Sequence, residues 1–86
     1  MKTIYKYVLY PSMNFYMMPE GAKILKVDAQ EGDICLWAEV DPNAMHASRR
    51  IETYGTGVNM PADPGEYLGT VLLENGQLVF HVYDAT

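Results

Sequence analysis

The sequence predicts an all-β fold: a small antiparallel sandwich or partly open barrel of about six to seven strands. Turn-forming residues recur about every 8–12 residues, a spacing typical of small sandwiches and barrels. The segments between these turns are rich in Val, Ile, Tyr and Trp, and no window has the apolar period of a helix. The last third of the chain has the pattern of a β-hairpin. The 86 residues therefore predict a single β domain, residues 1–86.

The first five predicted strands follow from the positions of the turns. They are residues 3–10, 14–18, 22–29, 33–40 and 49–54. The third and fourth pair as a hairpin through Gln30-Glu31-Gly32, because Leu25, Val27 and Ala29 alternate with polar residues and so form a core face. Residues 43–48 fit either a single helical turn or an irregular loop.

The C-terminal hairpin gives the clearest local prediction. Residues 67–74 and 77–83 flank Asn75-Gly76, and a type I′ turn needs positive φ at both central residues, which Asn and Gly adopt at low cost. The two-residue loop fixes a register in which Glu74 faces Gln77, Leu73 faces Leu78, Leu72 faces Val79, Val71 faces Phe80 and Thr70 faces His81. The core face carries Val71, Leu73, Leu78, Phe80 and Val82. The outer face carries Thr70, Leu72, Glu74, Gln77, Val79, His81 and Tyr83.

That outer face is too apolar for one that meets only water, so it is a candidate interface. Leu72, Val79, His81 and Tyr83 either lie beneath the chain's own N-terminal strand or pack against a second copy or another partner. Trp37 is a further interface candidate, because alternation places it on the opposite side of its strand from Leu36. Its alternative is burial beneath a loop or the N-terminal strand.

Composition excludes several classes of function. Eleven acidic residues against six basic ones give a net charge of −5, which disfavours binding to a nucleic-acid backbone. No stretch approaches the roughly 18 apolar residues of a membrane helix, so no membrane partner is expected. The single Cys35 and the polar N-terminal segment favour a reducing cytoplasm. A domain this small buries only about 60% of its unfolded surface, so a homo-oligomer is expected.

Catalytic and metal sites are not predicted. Cys35 with His46 or His81 is the only nominal pair of a nucleophile and a base, and Cys35 lies mid-strand with no adjacent cation to lower its pKa. The two histidines, 35 positions apart, and one cysteine match no compact ligand spacing. The expectation is a protein that is not an enzyme and holds no cofactor.

One stretch predicts a small-ligand site, formed by Arg49, Arg50, Tyr54, Gly55, Thr56 and Gly57. Two guanidinium groups can grip a phosphate or carboxylate, a tyrosine ring can stack on a base, and the N–H groups of the glycine loop can line an anion nest. The alternative is that Arg49 and Arg50 charge an edge strand and so discourage edge-to-edge pairing.

Several sequence blocks carry a resemblance to a known family. They are Met18-Pro-Glu-Gly-Ala-Lys-Ile-Leu25, Leu36-Trp-Ala-Glu-Val-Asp-Pro42, Gly55-Thr-Gly57 with Met60-Pro61, Gly65-Glu-Tyr-Leu-Gly-Thr70 and Leu78-Val-Phe-His-Val82. From residue 3 to residue 83 the chain resembles a family of short uncharacterised proteins of bacteriophages and bacterial genomes, known only as a domain of unknown function. No site residues carry over from this family.

The resemblance implies a phage or prophage setting in the host cytoplasm. The predicted function is that of a non-enzymatic interaction protein that binds a host protein, and inhibition of a defence system is one job of this kind. The alternative is an oligomeric binder or sponge of a small molecule such as a nucleotide, held at Arg49, Arg50, Tyr54 and the glycine loop.

Overall fold

Seven antiparallel strands form two sheets in the computed structural model, which describes all of residues 1–86. The strands are β1 (Thr3–Leu9), β2 (Phe15–Pro19), β3 (Lys23–Gln30), β4 (Asp33–Val40), β5 (His46–Gly55), β6 (Glu66–Leu73) and β7 (Leu78–Asp84). One sheet has the order β1-β4-β3 and the other the order β2-β5-β7-β6. The sheets do not close into a barrel, so the predicted sandwich is confirmed. The largest change in bounds concerns β5, which begins at His46 instead of Arg49.

The hairpin of β3 and β4 is confirmed. Glu31 and Gly32 have φ values of 52° and 81°, and Gln30 pairs with Asp33 across this two-residue turn. The prediction that Leu25 faces the core is wrong, because a β-bulge between Ile24 and Lys26 interrupts the alternation. Leu25 is 44% exposed, whereas Ile24 packs against the core in its place.

The C-terminal hairpin has the predicted register from Thr70–His81 to Leu73–Leu78. Asn75 and Gly76 both have positive φ, and the Gln77 N–H donates to the Glu74 carbonyl at 3.1 Å. The ladder ends at Leu73–Leu78, however, so Glu74 and Gln77 belong to the turn and do not extend the strands. Glu74 also has a positive φ of 52°, which widens the loop beyond the predicted two residues.

The core lies between the two sheets and is small, since 15 of the 86 residues are buried. Buried apolar side chains from both sheets meet there, including Leu9, Met18, Val27, Leu36, Val40, Ile51, Val71 and Val82. Tyr16 joins them, and its hydroxyl holds the turn between β1 and β2 by accepting from the Tyr10 N–H at 3.0 Å and donating to the Met13 carbonyl at 2.9 Å. These two hydrogen bonds give the hydroxyl of the buried Tyr16 the polar partners that it needs.

The N-terminal strand β1 pairs with β4, so it does not cover the outer face of the C-terminal hairpin as one alternative expected. The two sheets approach each other instead along β3 and β6, which lie at their respective edges. A Cβ atom on Gly69 would lie 2.6 Å from Cγ2 of Val27. Glycine at this position therefore permits the close approach of the two edge strands.

Candidate functional site

The candidate site is the solvent-facing side of the four-stranded sheet. Six side chains on β5, β6 and β7 form what we call the outer patch: Tyr54, Tyr67, Leu72, Val79, His81 and Tyr83. The register arranges them in rows across the strands, since residues that oppose each other in a ladder project to the same face. Tyr83 lies opposite Tyr67, His81 lies between Tyr54 and Thr70, and Val79 lies opposite Leu72.

Three tyrosine rings pack against one another across this patch. The ring of Tyr83 lies 6.0 Å from that of Tyr54 and 5.4 Å from that of Tyr67, with interplanar angles of 70° and 60°. Edge-to-face contacts of this kind stabilise aromatic pairs beyond the area that they bury. Tyr67 is nevertheless 54% exposed and Leu72 is 58% exposed. The patch therefore presents ordered apolar groups to solvent.

His81 lies at the centre of the patch, and its ring is held by hydrogen bonds to a side chain of β6 and to one in the loop after β5. Its Nε2 is 2.8 Å from the Thr56 hydroxyl and its Nδ1 is 3.0 Å from the Thr70 hydroxyl. The Thr70 hydroxyl also bonds to that of Tyr67 at 2.5 Å. Both ring nitrogens thus have partners in the fold, and a neutral imidazole donates from one nitrogen while it accepts at the other.

The structure brings together four of the five residues predicted for the interface. Leu72, Val79, His81 and Tyr83 share the outer patch. Trp37 lies half-buried on the outer face of the other sheet, where the register places it between Lys6 of β1 and Lys26 of β3. It therefore belongs to a different surface of the sandwich.

Tyr67 is the residue of the outer patch that the sequence analysis missed. Strict alternation from Val71 would turn it toward the core, but a bulge between Tyr67 and Gly69 shifts the pairing and places it opposite Tyr83. A glycine inside a strand is a signal of a bulge, so Gly69 was the available clue. Tyr54, predicted as part of the ligand site, also lies on the outer patch.

Arg49 and Arg50 are neighbours on β5 and therefore project to opposite faces of the sheet. Arg49 lies between the sheets, where its Nε and Nη2 donate to Asp84 Oδ2 at 3.2 and 2.8 Å. Its Nη1 donates to the Ala22 carbonyl at 2.9 Å. Arg50 lies on the outer face, where its Nε donates to Glu52 at 2.9 Å. The two guanidinium groups thus do not converge on one anion.

The alternative that these arginines protect a sheet edge is wrong, because β5 lies between β2 and β7. Arg49 instead neutralises a buried carboxylate. Burial by itself raises the pKa of Asp84, but the bonds from Arg49 and Thr86 outweigh it and hold that pKa below its ordinary value of 3.8. The pair ties β5 to β7 and, through Ala22, to the turn that precedes β3.

Three hollows lie beside the predicted ligand residues, and one of them, of about 450 Å³, is lined by Arg49, Asp84 and Thr86. Another of about 240 Å³ is lined by Gly55, Thr56 and residues 77–80, and the Thr56 N–H donates to the Val79 carbonyl at 3.3 Å. The third, a cleft of about 410 Å³, opens where β3 and β6 begin, and Arg49, Glu66 and Tyr67 are among its lining residues. Arg50 lines none of the three hollows.

The residues considered for nucleophilic or metal chemistry are Cys35 and the His, Asp and Glu side chains. Cys35 is buried, and this burial raises the pKa of its thiol, which opposes formation of the reactive thiolate. No group of three or more His, Cys, Asp or Glu side chains is placed to hold a metal ion. The chain also forms no helix with the length and apolarity that a membrane crossing requires.

Comparison with known proteins places the whole sequence in one family. A family model described as a domain of unknown function, DUF7352, matches residues 1–86. No curated protein and no solved structure matches the chain. The match confirms the expected resemblance to a domain of unknown function.

Proposed function

The chain belongs to the DUF7352 family, and from this premise we propose that it is a non-enzymatic interaction protein that binds another protein through its outer patch. The observation that carries the proposal is the cluster of three packed tyrosines, with Leu72 and Val79 beside it, on the solvent side of a sheet. Tyrosine is enriched at protein interfaces because it offers a large, ordered and amphipathic contact surface.

The extent of the outer patch is that of an interface centre. Its six positions, about 4.8 Å apart between strands and about 6.8 Å apart along one face of a strand, cover about 200 Å². A stable interface buries about 800 Å² per partner and has an apolar core with a polar rim. The outer patch therefore fits the core of such an interface, and the polar side chains around it would form the rim.

Charge also favours a protein partner with an apolar surface. The six side chains of the outer patch include no acidic or permanently charged group, and the nearest charged residues on that face, Arg50 and Glu52, are paired with each other. A surface of this kind gains free energy by excluding water, whereas a nucleic-acid surface depends on cations that neutralise phosphates. We therefore expect the partner to bring apolar or aromatic side chains.

The biological setting of the proposal comes from the sequence resemblance. In a phage or prophage, a small acidic protein of the host cytoplasm acts on a component of the host cell. Inhibition of a host defence complex is one function that needs no catalytic centre and only an interaction surface. The proposal therefore takes a host protein as the partner.

The test compares charged substitutions inside and outside the outer patch. Leu72→Asp and Val79→Asp place a carboxylate on the patch, and Met45→Asp is the matched control because Met45 is 77% exposed before β5. The tagged proteins are expressed in the bacterial host, purified gently and weighed by native mass spectrometry. We expect wild type and Met45→Asp to carry the same stoichiometric host protein, and the two patch variants to lose it.

Circular dichroism and thermal unfolding verify that each variant is folded. Retention of the same host protein by Leu72→Asp and Val79→Asp would contradict the proposal. A wild-type protein that carries only a small excess mass, lost on denaturation, would favour the second candidate function instead.

That second candidate is a small-molecule binder. The cleft of about 410 Å³ supports it, because Lys23 and Lys26 line it together with a single acidic residue, Glu66, and its volume is within the range of ligand sites. An anionic ligand such as a nucleotide would suit these cations. Loss of the small excess mass in Lys23→Ala and Lys26→Ala, with the fold retained, would identify this cleft as the site.

A further inference from the structure

Four strands lie at the edges of the two sheets, and three of them are protected against pairing with another chain. β3 and β6 lie against each other, and each contains a bulge. β2 is only five residues long and ends at Pro19. Short length, bulges, proline and coverage are the devices by which proteins block edge-to-edge association. β1 has none of these four, and its one protective feature is the charge of Lys6 near its middle.

β1 is a regular seven-residue strand whose ladder with β4 runs without interruption from Thr3–Val40 to Leu9–Ile34. The residues from Thr3 to Lys6 are all exposed. We propose that β1 pairs antiparallel with β1 of a second copy, so that two three-stranded sheets become one six-stranded sheet. This dimer would be the homo-oligomer expected from the size of the chain.

The turn at Glu31-Gly32 shows which backbone groups of β1 are free. Residues that flank a two-residue hairpin loop form a hydrogen-bonded pair, so Asp33 directs its N–H and C=O toward β3. Alternation along β4 then directs the groups of Leu36 and Ala38 toward β1, where they meet Tyr7 and Tyr5. The N–H and C=O groups of Ile4, Lys6 and Val8 therefore point to the free edge.

Charge and packing select the register of the pair. A two-fold axis at Lys6 would place that residue opposite its own copy, and like charges directly opposite each other destabilise a ladder. An axis at Tyr7 would draw Leu9, which is buried under the other sheet, into the interface. An axis at Tyr5 avoids both problems. Ile4 then lies opposite Lys6 of the second copy, and these two pairs exchange four backbone hydrogen bonds.

Side chains on the inner face strengthen this register. The two Tyr5 residues meet at the axis in a non-hydrogen-bonded pair, where opposing Cα atoms are about 4.5 Å apart and side chains are closest. Within each copy Tyr5 already packs edge-to-face against Tyr7 at 6.5 Å. The dimer thus assembles a row of four tyrosines. On the outer face, Ile4, which is 56% exposed in the single chain, gains the aliphatic stem of Lys6 as a neighbour.

The expected contact is small. With the axis at Tyr5, residues 3–7 of β1 overlap, which is about 17 Å of strand, and a sheet about 10 Å thick then offers about 170 Å² per copy. Stable complexes bury about 800 Å² per partner, so this pairing predicts a reversible dimer whose population rises with protein concentration.

The first test is disulfide formation at the axis in the full chain. A separation of about 4.5 Å between Cα atoms suits a disulfide, so Tyr5→Cys should form a covalent dimer under mild oxidation. Lys6→Cys is the matched control, because it lies next in sequence and away from the axis. The native Cys35 is buried, so it does not compete. Intact-mass spectrometry and non-reducing electrophoresis measure the fraction of disulfide-linked dimer.

The second test removes a free-edge hydrogen bond. Ile4→Pro deletes an N–H that points away from β4, and proline is tolerated in edge strands at such positions. Sedimentation should show a concentration-dependent dimer for wild type and for the control Ile4→Val, and only monomer for Ile4→Pro. If Ile4→Pro fails to fold, the comparison of Tyr5→Cys with Lys6→Cys still tests whether β1 pairs with β1 of a second copy.

Three results would overturn the proposal. One is a wild-type protein that sediments as a monomer at every concentration while Tyr5→Cys forms no disulfide. Another is faster disulfide formation by Lys6→Cys than by Tyr5→Cys, which moves the axis. The third is a dimer that persists in folded Ile4→Pro and dissociates in Leu72→Asp, which moves the interface to the outer patch.

Discussion

Replacing Arg49 by methionine removes the guanidinium that bonds to the buried Asp84 carboxylate. The substitution keeps a long apolar side chain between the sheets, but it deletes two hydrogen bonds to Asp84 and one to the Ala22 carbonyl. Asp84 is 8% exposed, so its carboxylate cannot recover full hydration. Its remaining bond comes from the Thr86 N–H at 3.1 Å.

The expected loss of stability is large for a chain of this size. Breaking a buried ion pair by removal of one partner costs about 3–5 kcal/mol, because the other charge stays buried without compensation. At about 0.05–0.15 kcal/mol per residue, 86 residues have a free energy of unfolding of about 4–13 kcal/mol. Arg49→Met should therefore remove about a quarter or more of the total stability.

Arg50→Met is the matched control, since it makes the same substitution at the next residue of the same strand. The Arg50–Glu52 pair lies on the outer face, where such pairs contribute only about 0–1 kcal/mol. Urea unfolding followed by far-ultraviolet circular dichroism measures both variants. Adding Asp84→Asn to Arg49→Met removes the orphaned charge and should recover part of the loss. Equal losses for Arg49→Met and Arg50→Met would refute a stabilising role for the Arg49–Asp84 pair.

Three further predictions concern the fold. Gly65→Ala should lower the melting temperature far more than Gly57→Ala: both glycines have positive φ, but only at Gly65 would a Cβ collide with the Asp84 carbonyl. Equal losses would contradict this. Thr53→Val should raise the free energy of unfolding by about 1 kcal/mol, because it removes a buried hydroxyl that has no partner; a lower midpoint in urea would show that the hydroxyl is needed. The lowered pKa of Asp84 predicts a contribution that is complete above pH 3.8 and is lost as the pH falls through the folded-state pKa. Acid unfolding of Asp84→Asn should therefore depend less steeply on pH below 3.8, and an unchanged slope would contradict the assignment.

The local parts of the fold could be predicted from the sequence because turn chemistry acts over a few residues. Glu31-Gly32 and Asn75-Gly76 adopt the positive φ values that tight turns require, and they fix the register of their hairpins. The pairing of β1 with β4 and of β2 with β5 has no such signal. Those contacts depend on which apolar faces fit together across the whole chain.

The outer patch could be predicted only in part because alternation fails at bulges. The positions of Leu72 and Val79 on the outer face can be predicted from the turn that sets the register of the hairpin. Tyr67 lies beyond the bulge at Gly69, which moves its side chain from the core face to the outer face. Arg49 and Arg50, which the sequence predicts to bind one ligand together, are separated for a different reason. Adjacent strand residues face opposite ways, and Asp84, the carboxylate that binds Arg49, lies 35 positions away in the sequence.

The position of β7 affects how the four-stranded sheet can fold while the chain is being synthesised. β7 is the last strand in the chain, yet it lies between β5 and β6. On a ribosome, residues 3–40 can complete the three-stranded sheet early. Ile51 of β5 and Val71 of β6 can be buried only after residues 78–84 have emerged, because β7 lies between these two strands. Long-range pairing of this kind folds slowly and leaves apolar strands open to aggregation. A premature stop within β7 would therefore remove the middle of its sheet rather than trim its edge.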